Sequence, residues 1–186
     1  MEVKGTAFLA RKAMLIGEIG QERFDALMRT FRATHGPLLE NVLATSVLPL
    51  RPFLDWNELI VREVYRGDVQ SYFRIGQKSA EWGLTQGPYK HLVATKSYEQ
   101  FAQSGRVIYA SYFTKGRAES GLRGNVVEMR LMDIPREFHH AYLEYAIAGY
   151  FQRGLELVAG GPVDMKPVRG FTKGDPDVLY EYRPRG

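Results

Sequence analysis

The sequence predicts an α+β domain: an N-terminal helical layer packed on a four-stranded antiparallel sheet, with a long helix between two strand pairs. Three observations predict it. Val127, Met129 and Leu131 alternate with Glu128 and Arg130, and Val178, Tyr180 and Tyr182 alternate with Leu179, Glu181 and Arg183, the period-two pattern of strands with one buried face. Between them, Leu143, Ile147, Tyr150, Gly154 and Val158 recur at three- and four-residue steps. Upstream of about residue 115 the apolar spacing is mainly helical and is punctuated by glycine and proline. The chain therefore reads as one domain over 1–186, mainly helical over 1–115 and built of strands plus the long helix over 116–186.

Lys4 to Leu9 reads either as a short strand or as the lead into a helix, because Phe8, Leu9, Met14, Leu15 and Ile16 fall at mixed spacing. Phe24, Leu27, Met28 and Phe31 mark an amphipathic helix over 21–34, stopped by Gly36 and Pro37. A short helix is expected over 38–44 and an ordered loop over 45–52. Asp55 with Glu58 three residues later has the form of a capping box, opening a helix that carries Trp56, Leu59, Ile60 and Val64. Gly67 and Asp68 break it. The next helix runs over 69–82 with Gly83 as its stop, and Pro88 opens a short segment with His91 and Leu92. Tyr98, Phe101, Gly105, Ile108, Tyr109 and Tyr112 place a single helix over 97–115, capped by Ser97.

Arg117 to Leu122 is read as a strand that turns back through 123–125 into the strand of Val127 to Leu131. Asp133 offers a capping acceptor and Pro135 suits a first turn, so the long helix is expected to begin near Ile134. Glu137, Glu144, Gln152 and Glu156 collect on its polar side, and Gly160, Gly161 and Pro162 end it. Val163 to Val168 is a third strand that Pro167 breaks or confines to an edge, and the fourth follows a loop holding Gly170, Gly174 and Pro176.

Composition narrows the function classes. A chain of 186 residues can bury about 70% of the surface its unfolded form exposes, enough for one core. The absence of cysteine excludes disulfides, thiolate metal sites and a cysteine nucleophile. No apolar run reaches the roughly 20 residues of a membrane span and no signal peptide is evident, so a cytoplasmic protein is the default expectation. The net charge of +4 is scattered along the chain and does not point to nucleic acid. Lys115, Arg117 and Arg123 gather around the first hairpin beside Gly116, Gly121 and Gly124, but the spacing matches neither a P-loop nor a dinucleotide fingerprint, and a solvated turn accounts for it. Hydrolase, zinc-protease and kinase signatures are absent, which favours a non-enzymatic domain.

Two groups of residues invite a functional reading. His139 and His140 are read near the apolar side of the long helix and titrate near neutral pH as a residue type. Adjacent helical positions point about 100° apart, so the pair cannot chelate one metal without a distant third ligand. One packed and one partly solvated histidine is the plainer account, and an acid or base role for either is the weaker one. Trp56, Trp82, Phe101, Tyr109 and Tyr112 supply aromatic walls with polar tips, the chemistry of a pocket for an amphipathic ligand. An aromatic stripe at helical spacing is also what a plain core looks like.

The order of elements resembles the superfamily shared by heme-NO-binding (H-NOX) domains, 4-vinyl reductase-type sensor domains and TRAPP small subunits, and more narrowly a group of paralogous proteins from myxobacteria. The residues that carry the resemblance are Lys4-Gly5-Thr6, Leu48-Pro49 followed by Asp55 to Glu63, Ile75-Gly76 ahead of Trp82, Tyr112 to Gly116, and the terminal Gly170 to Pro184 hairpin. The resemblance implies a domain that cradles an apolar ligand, or docks a partner, between helices and sheet. In H-NOX domains a histidine on the helix before the sheet ligates heme iron and a Tyr-x-Ser-x-Arg motif holds the propionates. Here 97–115 contains no histidine, Val107 stands about nine residues before Gly116, and Leu131 to Arg136 does not restore the motif. Tyr109 and Tyr112 remain as rare alternative iron ligands. The expectation is a sensory domain without heme or other cofactor, binding a small apolar or amphipathic molecule through Trp56, Trp82, Phe101, Tyr109, Tyr112 and His140. The alternative is a TRAPP-like interaction module that docks a protein partner or forms a homodimer.

Overall fold

The structure is a computed structural model that describes residues 1–87 and 89–185. Its strands are β1 (Glu2–Lys4), β2 (Val47–Pro49), β3 (Arg117–Arg123), β4 (Val126–Met132), β5 (Val163–Arg169) and β6 (Val178–Pro184). The α-helices are α1 (Gly5–Ile19), α2 (Gln21–His35), α3 (Leu50–Val64), α4 (Ser71–Thr85), α5 (His91–Ala94), α6 (Tyr98–Ala102), α7 (Gly105–Tyr112) and α8 (Ala141–Ala159). The architecture is α+β with a four-stranded antiparallel sheet, as the alternation and helical spacing predict.

β3, β4, β6 and β5 lie in that order, every neighbour antiparallel. The period-two residues fall as expected, with Val127, Met129, Leu131, Val178, Tyr180 and Tyr182 all turned to the core. β5 is an edge strand whose register shifts between Pro167 and Arg169, which is where a residue without an N–H is tolerated.

α8 lies between sheet and helices and is buried almost all round. It crosses α4 so closely that backbone meets backbone. A Cβ on Gly76 would stand 1.9 Å from the Ala146 carbonyl oxygen, and one on Gly149 would stand 2.2 Å from that of Phe73. Each helix thus supplies a glycine where the other passes, and no larger residue fits.

Several boundaries differ from the expected ones, each for a local reason. Lys4 to Leu9 is divided between β1 and α1, and β1 pairs with β2, so part of the expected 45–52 loop is a strand. The stretch 38–44 forms turns instead of a helix, with Asn41 left-handed at φ 57°. α3 begins at Leu50, with Pro52 in its first turn, so Asp55 lies inside the helix and bonds His35 Nε2 at 3.1 Å instead of capping. α4 continues through Gly83 to Thr85 because that glycine faces the Tyr150 and Tyr112 hydroxyls, where a Cβ would stand 3.1 and 3.2 Å away. Pro88 lies outside the described residues.

The single helix expected over 97–115 is two, α6 and α7. Ser97 caps α6 as expected, but Ser104 Oγ donates to the Phe101 carbonyl and the Gly105 N–H goes to Ser120 Oγ, so the ladder is interrupted there. The start of the long helix is also later than Asp133 and Pro135 imply. Asp133 is left-handed at φ 58° and pairs with Arg117, residues 136–138 make one 3-10 turn, and α8 opens at Ala141. Its cap is His140, whose Nδ1 accepts the Tyr142 N–H at 2.9 Å. Glu144, expected on the polar side, is buried and accepts the Thr172 N–H and hydroxyl at 2.8 and 3.0 Å.

Candidate functional site

Where α1, α4, α7 and α8 meet the β3–β4 hairpin, the core leaves a narrow cavity of about 50 Å³. Small residues open it: Ala7 and Ala10 on α1, Gly76 and Ser79 on α4, Gly105 on α7, Ala118 on β3 and Ala146 on α8. Ile108, Met129 and Ile147 add aliphatic surface, and tyrosines 109, 112, 142 and 150 supply most of the aromatic wall. Tyr142, Ala146 and Tyr150 sit four residues apart on α8, so one stripe of that helix faces the cavity.

The hydroxyls on this wall are tied to one another and to backbone. Tyr112 donates to Tyr150 at 3.3 Å, and Tyr109 donates to the Lys115 carbonyl at 2.7 Å. Burial pushes the phenols of Tyr109, Tyr112 and Tyr150 well above their ordinary range, so all three are neutral at physiological pH.

One charged side chain lines the cavity. Arg11, on α1, is 1% exposed, and it shares a helical stripe with Phe8 and Leu15 at three- and four-residue steps. Its Nε donates to Asn57 Oδ1 at 3.0 Å, its Nη1 to the Ile75 carbonyl at 3.5 Å and the Met14 sulfur at 3.4 Å, and its Nη2 to the Tyr142 hydroxyl at 3.4 Å. Asn57 is itself held by a bond to the Phe53 carbonyl at 2.7 Å. All these partners are neutral, and only the bonds to Asn57 and Met14 are well within the usual reach of their acceptors. The carboxylates that share its tyrosine neighbours, Glu18 beside Tyr65 and Glu58 beside Tyr72, pair instead with Lys78 and His140. A guanidinium keeps its charge in a protein interior, and burying an ion without a counter-charge costs on the order of several kcal/mol.

Of the expected site residues, Tyr109 and Tyr112 line this cavity and four lie elsewhere. Trp56 packs among Phe8, Phe24 and Phe31 in the core of α1, α2 and α3, with ring centroids 6.2, 6.0 and 5.4 Å away. Phe101 inserts against Gly154, its ring tilted 31° to that of Phe151 with centroids 5.5 Å apart. Trp82 is half-buried on α4, off the cavity wall. His140 caps α8 and reaches Glu58 at 2.8 Å, while His139 stacks on Phe171 at 4.0 Å, so both histidines precede the helix on which they were expected. Arg117 pairs with Asp133 at 2.9 Å and Arg123 with Glu128 at 3.3 Å, so two of the three basic residues at the first hairpin meet carboxylates.

Arg11, Tyr142 and Tyr150 are among the wall residues that the sequence reading did not select for the site. The spacing of Arg11 with Phe8 and Leu15 is the signal that locates it, once 5–19 is taken as a single helix. Among the described residues no group of three or more carboxylates and histidines is placed to hold a metal ion, and no helix is long and apolar enough to cross a membrane.

No protein-family profile matches the chain, and no curated protein sequence matches it. Solved structures do. An H-NOX protein from S. oneidensis in the Fe(II)NO ligation state superposes with a TM-score of 0.77 at 10% identity, over 98% of this chain and 99% of that one. A mutant Fe(II) unliganded H-NOX protein from K. algicida gives 0.71 at 11% identity, over 98% and 97%. A Cs H-NOX mutant carrying 4-cyano-L-phenylalanine gives 0.72 at 10% identity, over 98% and 97%. At such identities the likeness carries the arrangement of the backbone and leaves the chemistry to the side chains. This chain has the H-NOX-like fold along essentially its whole length.

Proposed function

We propose that this protein is a heme-independent sensory domain that binds a small apolar or amphipathic molecule in the cavity between its helices and its sheet. The observation that carries the reading is the cavity itself, formed by small residues from four helices and walled by tyrosines. Narrower membership of the myxobacterial paralogous group rests on the short motifs quoted above.

The wall does not suit a heme. About 50 Å³ is several-fold below the roughly 300–1,000 Å³ of cofactor pockets. No histidine or cysteine is among its lining residues, and Tyr109, Tyr112 and Tyr150 occupy the space as neutral phenols. At about 10–15 Å³ for each water-sized sphere, the space takes roughly three to five heavy atoms. The alternative of a docking module would call for a contiguous apolar face. The most exposed large apolar side chains, among them Leu43, Val69, Val107, Leu122 and Val168, are spread over separate segments instead.

Xenon, which enters apolar cavities of this kind, is the probe. Under xenon pressure, methyl resonances of Ile108, Met129 and Ile147 should shift saturably while those of Val69 and Val168 stay fixed. No selective shift, together with no small molecule retained in native mass spectra of freshly purified protein, would remove the ligand-binding reading.

A further inference from the structure

We propose that the cavity selects a short monocarboxylate, whose carboxylate is received by Arg11 and whose one- or two-carbon tail lies against the aliphatic wall. The inference rests on the ligand-binding reading and adds the chemical class. Its first support is the state of Arg11: buried, on the cavity wall, and bonded only to neutral acceptors. A charge sealed from water without an opposite charge is a standing demand for an anion. Among anions, a carboxylate matches the planar fork of a guanidinium, taking one N–H from each Nη in place of the long contacts to the Ile75 carbonyl and the Tyr142 hydroxyl.

A second support is a set of hydroxyl hydrogens with no acceptor. Tyr142 accepts from Arg11, Tyr150 accepts from Tyr112, and neither donates to any of the described residues. Arg11, Tyr142 and Tyr150 all line the cavity, and the Tyr142 hydroxyl lies 3.4 Å from the Arg11 guanidinium. The remaining wall, from Ala7, Ala10, Ile108 and Met129, is apolar and offers a bare anion nothing beyond the fork. An apolar tail is what that surface would contact. Size sets the upper limit: acetate has four heavy atoms and propionate five, against space for roughly three to five.

The experiment is a titration of the folded protein, followed by NMR, with acetate and propionate against chloride at matched ionic strength. Acetamide, isosteric but uncharged, and xenon serve as parallel probes. The proposal expects saturable acetate binding with shifts at the Arg11 Nη–H groups and the Met129 methyl, and acetamide bound about tenfold more weakly or less. Arg11→Met should weaken acetate about ten- to hundredfold while leaving the xenon response, and Arg11→Lys should fall between them because it keeps the charge and loses the fork. Should the Arg11 variants fail to fold, Ala7→Leu fills the cavity with the guanidinium in place and must abolish acetate binding. Xenon shifts without carboxylate binding would overturn the carboxylate assignment alone. Neither probe binding would overturn the ligand-binding reading as well. Acetate binding unchanged in Arg11→Met, or retained in Ala7→Leu, would place the anion elsewhere and overturn the proposal.

Discussion

Arg11 shows how one side chain can carry more information than the stripe it belongs to. Its neighbours Phe8 and Leu15 are core residues, yet the guanidinium bonds to α3 through Asn57, α4 through the Ile75 carbonyl and α8 through Tyr142. Two other residues of the same region permit direct tests. Tyr112→Phe removes the donor to Tyr150 and should lower stability by about 0.5–1.5 kcal/mol in chemical denaturation. His140→Ala removes the acceptor at the start of α8 and should cost about 0.5–2 kcal/mol, again by denaturation, with no change in the xenon response. Sequence alone put Tyr112 on the pocket wall but did not find His140 as the cap. The Asp133 and Pro135 pair is a stronger local capping signal than a histidine, and it loses because Asp133 is drawn to Arg117 while the chain makes a 3-10 turn first. The aromatic residues divide for a related reason: Trp56, Phe101 and Tyr109 look alike in sequence, and only the assembled helices decide which of them faces the space.

Among the elements, the α4–α8 crossing is the joint on which the cavity depends. Gly76 and Ala146 both line the cavity and both take part in the backbone contact, so the close crossing and the open space have one cause. Gly76→Ala or Gly149→Ala would force the helices apart and should cost about 3 kcal/mol or more by denaturation, an effect far larger than helix propensity would give with the opposite sign. The four strands of the main sheet were legible almost to the residue because one face is buried and the side-chain period is two, whereas β1 and β2 were not. The helices of the N-terminal half were less legible, since 38–44 forms turns and 97–115 divides into two helices. Gly83 and Gly105 read as stops or ordinary helical positions in sequence, whereas in the fold they are points of close approach to Tyr150 and Ser120.

Over the whole molecule, the buried tyrosines tie stability to pH. Burial, before any other cause, pushes Tyr109, Tyr112, Tyr150, Tyr180 and Tyr182 well above 10. The unfolded chain releases these protons near pH 10 and the folded one does not, so their contribution is complete below pH 10 and falls as pH climbs above it. Phenolate absorbance from this group should therefore appear cooperatively, together with loss of circular dichroism. Gradual titration near pH 10 with the fold intact would contradict the burial. At the acid end, burial works to raise Glu18, but bonds from Lys78 and Tyr65 outweigh it and hold it below 4.5. Its small, largely solvent-screened contribution is present above pH 4.5 and fades as pH drops further.

The same backbone arrangement as the H-NOX structures here surrounds a cavity of about 50 Å³ walled largely by tyrosines. The central claim is that this interior takes a few-atom ligand and no tetrapyrrole. Its most direct test is the visible absorption spectrum of the purified protein titrated with hemin. The account predicts a spectrum that stays that of free hemin at every ratio, with no shift in thermal unfolding. A sharpened Soret band that saturates at one hemin per chain, and is lost on substituting Tyr109 or Tyr112, would contradict it.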